Sequence, residues 1–178
     1  LKGGATCVQL REKELDDEAF LKEAIEIKEL CHKYNVPLFI NDNVDVAIKC
    51  KADGIHVGQE DMAAGAVRSL VGEDMMIGVS VHTVEQALEA VKNGADCLGV
   101  GAMFTTSTKR VSGSLPMQTL LDICHAVDIP VVAIGGLNKS NIAKLSKTGV
   151  DGVAIFSADD IENECRELYR ISENMVNA

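Results

Sequence analysis

The stretch Met76-Ile77-Gly78-Val79-Ser80-Val81-His82-Thr83-Val84-Glu85-Gln86-Ala87-Leu88-Glu89-Ala90-Val91-Lys92-Asn93-Gly94-Ala95-Asp96-Cys97-Leu98-Gly99-Val100-Gly101 holds a strand, a helix and a second strand in succession. The apolar run Met76–Val81 is short and carries three β-branched residues, which predicts a buried strand. Thr83 and Gln86 stand three apart, the spacing of a capping box at a helix start. Val84, Ala87, Leu88 and Val91 then fall on one helical face, and Gly94 supplies the stop. A second apolar run, Cys97–Gly101, follows directly. Two strands joined by a helix predict a parallel pair, because a crossover of this kind returns the chain to the same end of the sheet.

The same alternation extends in both directions. Seven strand candidates emerge: Thr6–Leu10, Pro37–Ile40, Gly54–Val57, Met76–Val81, Cys97–Gly101, Pro130–Ile134 and Gly152–Phe156. Asp16, Asp17 and Glu18 put negative charge at the start of a helix carrying Phe20, Ala24, Ile27 and Cys31, and Pro116 suits the first turn of another. A short motif recurs where helices end and strands begin: Lys51-Ala52-Asp53-Gly54-Ile55, Gly94-Ala95-Asp96-Cys97-Leu98 and Gly149-Val150-Asp151-Gly152-Val153. Three copies at one structural station predict a single β/α unit reused around a TIM (β/α)8-type barrel. An open doubly wound sheet of flavodoxin or Rossmann type is the alternative. No G-x-G-x-x-G follows the first strand, which argues against the Rossmann form.

With 178 residues, 47% of them apolar and 25% charged, the composition is that of a soluble domain with a core, which excludes disorder, collagen and coiled coil. Lys+Arg 17 against Asp+Glu 27 leaves a net charge of −10, which repels a phosphate backbone, and the absence of Trp leaves little for bases to stack on. Nucleic acid is not the expected partner. No apolar run reaches the roughly 20 residues of a membrane span and no signal-peptide pattern opens the chain, so a cytoplasmic location without membrane contact is expected. The six cysteines, scattered without a C-x-x-C pair, read as thiols rather than disulfides or zinc ligands. The chain begins with Leu1 rather than Met and is shorter than the roughly 200 residues of an eight-unit barrel. The expectation is one TIM-barrel domain over residues 1–178 with seven of eight units, the N-terminal strand and helix missing.

In a β/α barrel the active site lies beyond the carboxyl ends of the strands. Those ends read Gln9-Leu10-Arg11-Glu12-Lys13, Asn41-Asp42, Gly58-Gln59-Glu60-Asp61, Ser80-Val81-His82, Thr105-Thr106-Ser107-Thr108-Lys109-Arg110, Gly135-Gly136 and Ser157. Arg11, Lys13, Lys109 and Arg110 gather cations at one face of an acidic chain, which suits a phosphate or pyrophosphate. Arg11 and Lys13 share a period-2 spacing with Gln9 that aims all three side chains the same way. Surface charge is the plainer reading of each cation, of Arg110 above all. Asp42 and Asp61 are hard oxygen donors with no His or Cys beside them, suited to a Mg²⁺ that keeps water and substrate phosphate in its shell. The other reading makes Asp42 the cap of a helix through Val44–Ile48 and Asp61 the cap of one after Met62. Gly135-Gly136 and Ser157, after the last two strands, suit a backbone-amide phosphate site, with a turn needing positive φ as the alternative for the glycines. The hydroxyls of Thr105–Thr108 either add donors there or belong to a solvated loop. His56, inside a strand, reads more readily as a core residue than as a catalyst, and His82, at a strand end, is the better proton-transfer candidate. His32 and His125 fall on helices and take no role.

From about Gly3 to Tyr169 the chain resembles the thiamine-phosphate synthase (thiamine-phosphate pyrophosphorylase) family. The motifs that carry the resemblance are Val8-Gln9-Leu10-Arg11-Glu12-Lys13, Ile40-Asn41-Asp42, His56-Val57-Gly58-Gln59-Glu60-Asp61-Met62, Gly78-Val79-Ser80-Val81-His82-Thr83, Thr106-Ser107-Thr108-Lys109 and Val132-Ala133-Ile134-Gly135-Gly136. It implies a transferase of thiamine biosynthesis that joins hydroxymethylpyrimidine diphosphate to thiazole phosphate, releasing pyrophosphate and thiamine phosphate. It further implies that Gln9, Arg11, Lys13, Asn41 and Lys109 hold the pyrimidine diphosphate with Ser80 near the pyrimidine, and that Asp42 and Asp61 bind Mg²⁺. The thiazole phosphate would rest on Thr106, Thr108, Gly136 and the amides of Phe156 and Ser157. The implied reaction is dissociative: the diphosphate leaves first, and the thiazole nitrogen captures the pyrimidine-methyl cation. Arg11, Lys13 and Lys109 would stabilise the departing charge, with Ser80 counted beside them as catalytic.

The chain departs from the family pattern at Thr105, where Pro usually precedes the Thr-Ser-Thr-Lys run, at Ala63, where Pro is common, and at Phe156, bulkier than the usual aliphatic. A related thiazole tautomerase shares the barrel and a strand-end His like His82, but lacks the acid at Asp61 and the Thr-Ser-Thr-Lys run. A truncated, non-catalytic paralogue that still binds thiazole phosphate is the other alternative. The expected partners are the two small-molecule substrates, with no nucleic acid and no membrane; a homo-oligomer is left open.

Overall fold

Strands β1 (Val8–Leu10), β2 (Leu38–Asn41), β3 (Gly54–Val57), β4 (Met76–Val81), β5 (Cys97–Val100), β6 (Val131–Ile134) and β7 (Gly152–Ala154) pair side by side in chain order, every pair parallel. Helices α1 (Asp17–Lys33), α2 (Val44–Cys50), α3 (Ala64–Val71), α4 (Val84–Lys92), α5 (Met117–Ala126) and α6 (Ile161–Val176) alternate with them, and a 3-10 turn at Ile142–Leu145 stands between β6 and β7. The structure is a computed structural model that describes residues 1–105, 114–156 and 161–176. Sequential parallel order with alternating helices is the topology of a TIM-type barrel. All seven expected strands are present, several of them shorter than the apolar runs. Pro37 and Pro130 stay outside the ladder because they have no N–H to donate, although their carbonyls accept from Val8 and Leu98 at 3.0 and 2.9 Å.

The recurring aspartate has one structural job in all three places. Asp53 N–H donates to the Leu38 carbonyl at 3.0 Å while its carboxylate accepts from the Leu38 amide at 2.8 Å. Asp96 makes the same reciprocal pair with Ile77 at 2.8 and 2.7 Å, and Asp151 with Val131 at 2.9 and 2.8 Å. Each aspartate lies one residue before the first registered partner of its strand, Gly54, Cys97 or Gly152. A strand's first amide has no ladder partner of its own, so a carboxylate there satisfies the donor and sets the register together. The staples fall on β2/β3, β4/β5 and β6/β7, which makes the sequence repeat the mark of a two-strand unit used three times. Arg68 reinforces the middle staple, donating to Asp96 at 2.5 Å and to the carbonyls of Gly72, Met75 and Gly94 at 2.7–2.8 Å.

Between the layers lie the strand side chains and the inner helix faces. Leu38, Ile40, Ile55, Ile77, Val81, Leu98, Val100 and Ala133 are fully buried, and at about 25 cal/mol per Å² such burial is the main favourable term for the fold. The residues of β1 and β7 are less covered than those of the inner strands. Asp16 caps α1 through the Ala19 amide at 2.9 Å, as its charge predicted. Thr83 caps α4 through the Gln86 amide at 3.2 Å, but the Gln86 side chain reaches back one residue further than a capping box requires, to the His82 amide at 2.7 Å. Pro116 stands at the N-cap of α5 rather than in its first turn, since its extended ψ of 139° precedes the helical residues. The six cysteines are free thiols, with Cys31 and Cys50 buried. Among the described residues no helix is long and apolar enough to cross a membrane.

Burial pushes the Asp53 carboxyl up, but the Leu38 amide and the His32 imidazole outweigh it and hold the group below its ordinary value of 3.8. A carboxyl lowered in the folded state contributes stability that is present above its ordinary value and lost as pH falls through the lowered one. Asp53→Asn is therefore expected to flatten the acid limb of a pH–stability curve below about pH 4. Replacing Asp96 by Ala, which strands the Ile77 amide, is expected to cost about 1–3 kcal/mol in urea unfolding at neutral pH.

Candidate active site

The carboxyl end of β2 turns sharply. Asp42 adopts a left-handed backbone with φ 64°, a conformation that costs most non-glycine residues free energy and that aspartate tolerates better than most. The turn takes the Asp42 side chain out of the helix-capping position: Asn43 caps α2, accepting from the Val46 amide at 2.9 Å, and its amide donates to Asp17 on α1 at 2.9 Å. Asp42 is thereby released for the site. Its carboxylate is ion-paired with the Lys13 ammonium and lies within hydrogen-bonding reach of Asp61 and Asn41. Asp61 does not cap α3 either, because Ala63 holds that position; it folds back on its own loop and accepts from the Gly58 amide at 2.7 Å.

The two carboxyls respond oppositely to being neighbours. Burial raises Asp42, but hydrogen bonds from Lys13, Asp61 and Asn41 leave it below the ordinary carboxylate range. Burial and the facing Asp42 raise Asp61 in spite of the Gly58 amide. Two carboxyls this close do not both keep a full charge unless cations stand against them. Lys13 is one such cation. The pair is an oxygen donor set with room for a hard divalent ion that completes its shell with water or phosphate, so the residues present fit Mg²⁺. Open clefts of about 330 and 340 Å³ flank Asp42, one lined by Glu12, Lys13 and Asn41 and the other by Asp61 and Met62.

Lys13 reaches Asp42 by a route that the period-2 reading missed. Strand β1 ends at Leu10, so Arg11 and Lys13 lie beyond the alternation that places Gln9 on the strand. The Glu12 carboxylate instead accepts from three successive amides, Lys13 and Glu14 at 2.6 Å and Leu15 at 3.3 Å, and wraps the chain into a turn. The Glu14 and Lys13 amides hold Glu12 below its usual range. The one available sequence signal was an acid ahead of a polar run that Asp16 ends as a helix cap.

Ser80 stands at the end of β4, half-buried, with its hydroxyl 2.9 Å from His56 Nε2 and its carbonyl accepting from Gln59 Nε2 at 2.7 Å. His82 is tethered: Nδ1 lies 2.6 Å from the Gly101 carbonyl, which can only accept, so that nitrogen carries the proton. Beyond β6, the Ile134 and Gly135 carbonyls accept from Met103 and Phe104 at 2.9 and 3.0 Å, and the Gly136 carbonyl accepts from Asn141 Nδ2 at 2.8 Å. In a trans peptide the N–H opposes the C=O, so these bonds turn the Gly135, Gly136 and Leu137 amides away from their carbonyl partners. Gly136 has φ 67°, and a Cβ there would lie 2.6–2.7 Å from the Phe104 and Thr105 carbonyls, so the reading of the glycines as a turn needing positive φ holds. Phe156, after β7, is 64% exposed. Thr106, Thr108, Lys109, Arg110 and Ser157 lie outside the described residues. Gln9, Arg11, Lys13, Asn41, Asp42, Asp61, Ser80, Gly136 and Phe156 all fall at or beyond the carboxyl ends of strands.

The sequence model of one protein family, thiamine monophosphate synthase, matches residues 1–158. The chain belongs to that family. It is 48% identical over 170 residues to the thiamine-phosphate synthase of Clostridium tetani, an alignment covering 93% of this chain and 81% of the relative. With the thiamine-phosphate synthase of Methanobrevibacter smithii it shares 48% identity over 158 residues, 89% of this chain and 76% of the relative. Its structure matches thiamine phosphate pyrophosphorylase from Pyrococcus furiosus with a TM-score of 0.90 and 38% identity, over 98% of this chain and 86% of that one. These likenesses bear out the resemblance read from the six motifs and the TIM-type fold.

Gly136→Ala places a side chain in left-handed backbone and against two carbonyls. It is expected to lower stability by at least about 1 kcal/mol, read as a fall of several degrees in Tm by calorimetry.

Proposed function

We propose that this chain carries out the condensation for which its family is named, joining hydroxymethylpyrimidine diphosphate to thiazole phosphate and giving thiamine phosphate and pyrophosphate. The observation that carries the reading is the Asp42–Asp61 carboxyl pair with the Lys13 ammonium against it, where β1, β2 and β3 end. An acidic chain that places a cation and a paired oxygen donor set on one face is equipped for a diphosphate with its metal. Asp42 and Asp61 would hold Mg²⁺, and the ion when bound supplies positive charge against the diphosphate oxygens.

The remaining work falls to the chain. Lys13, Arg11 and Lys109 neutralise charge as the carbon–oxygen bond breaks and both electrons leave with the diphosphate. Asn41, 7% exposed and within hydrogen-bonding reach of Asp42, helps hold the pyrimidine diphosphate. Gln9 and Ser80 lie along the pyrimidine. The thiazole phosphate rests on Thr106, Thr108, Gly136 and the amides of Phe156 and Ser157, the half of the site built from backbone donors. The thiazole nitrogen lone pair then forms the new carbon–nitrogen bond, and because no proton leaves in that step no general base is required. Both substrates are phosphorylated small molecules, in keeping with a cytoplasmic enzyme.

Purified protein given both substrates and Mg²⁺ is expected to form thiamine phosphate, detected by chromatography. Asp42→Asn and Asp61→Asn are each expected to reduce kcat on the order of 100-fold, as for loss of preorganised transition-state electrostatics. Turnover that survives a chelator undiminished overturns the metal assignment. For Lys13→Ala the loss is expected in kcat/KM for the pyrimidine diphosphate; equal weakening of both substrates contradicts the division of the site.

A further inference from the structure

His56 lies across the inside of the sheet in a slot that two glycines leave open. It pairs in register with Gly78 on β4. A Cβ on Gly78 would run into His56 Nδ1, and a Cβ on Gly99 of β5, two strands away, would lie 2.9 Å from His56 Cε1. Glycine weakens a strand interior and there marks a close approach, here that of the imidazole ring. Strands two apart are separated by about 9.5 Å in a flat sheet, so a ring on β3 that touches both β4 and β5 lies on a concave face. The slot delivers Nε2 to within 2.9 Å of the Ser80 hydroxyl. Gln59, exposed in the loop after β3, fixes the other end of the same residue by donating to the Ser80 carbonyl at 2.7 Å.

We infer that His56 and Gln59 are positioning residues that clamp Ser80, one orienting its hydroxyl and the other its backbone. The inference rests on the reading above that places Ser80 against the pyrimidine diphosphate. A serine hydroxyl has one hydrogen and a choice of rotamers. When the ring nitrogen donates to Oγ, the hydroxyl hydrogen is left to donate in turn to the pyrimidine substrate beside it. His56 thus acts through Ser80 rather than on the substrate. Gln59 stands two residues before Asp61, so the same loop ties the hydroxyl and the carboxyl pair into one frame.

The test is a double-mutant cycle on kcat, with Tm recorded for every variant. His56→Phe fills the slot without a donor and is expected to lower kcat on the order of tenfold. His56→Gln, whose amide is always a donor, is expected to recover most of that loss. In a Ser80→Ala background, His56→Phe is expected to cost less than about twofold, because the group through which it acts is gone. Gln59→Leu repeats the cycle at an exposed position and so does not depend on the interior tolerating phenylalanine. Losses that multiply in the Ser80→Ala background, or a His56→Gln enzyme that turns over no faster than the His56→Phe enzyme, overturn the clamp while leaving the function in place. If Ser80→Ala leaves kcat unchanged, the placement of Ser80 against the substrate fails and the clamp with it.

Discussion

Three aspartate carboxylates at the amino ends of the strands hold the register on which the placement of Asp42, Asp61 and Ser80 at the opposite ends depends. Asp53, Asp96 and Asp151 each exchange two hydrogen bonds with the strand beside them, at the same register in every case. A slip of one residue in a parallel strand would turn its side chains to the other face. It would also carry Asp42, Asp61 or Ser80 away from the others, because each of these lies in or just after a strand whose start the aspartates hold. The fold separates its functions along the strand axis: register is secured at one end, and chemistry is assembled at the other.

At that second end the charges are few and closely placed. The chain is acidic overall, yet the Lys13 ammonium lies against the facing carboxyls of Asp42 and Asp61. The left-handed turn at Asp42 makes this arrangement, and Asn43 offsets part of its local cost by taking over the cap of α2. In the proposed function the glycine turn after β6 has a different kind of chemistry, in which oriented amides rather than side-chain charge would meet an anion. One site with two such halves suits two phosphorylated substrates of unequal charge.

Much of this was legible in the residues. The apolar runs marked all seven strands, since buried parallel strands have little polar alternation to confuse them, and the strand-end motifs assembled Arg11, Lys13, Asp42, Asp61, Ser80 and Gly136 at one face. Less legible were residues whose role depends on a partner distant in sequence. Glu12 reads as one more surface acid until its carboxylate is seen against three amides. Asp42 and Asn43 are equivalent capping residues by type, and the choice between them is made by a backbone torsion. His56 reads as a core residue, but it is only partly buried, and its slot between Gly78 and Gly99 aims it at Ser80.

The sequence by itself determined the order and kind of the secondary elements, the parallel sheet, the repeated aspartate and the residue types gathered at the strand ends. These follow from local pattern and from the period of burial, which a linear chain displays directly. Only the tertiary structure decided what the repeated aspartate bonds to, that Asp42 and Asp61 face one another, and that a ring from β3 supports a hydroxyl on β4. Such contacts depend on register and on the curvature of the sheet, and both arise from packing between segments that the sequence keeps far apart.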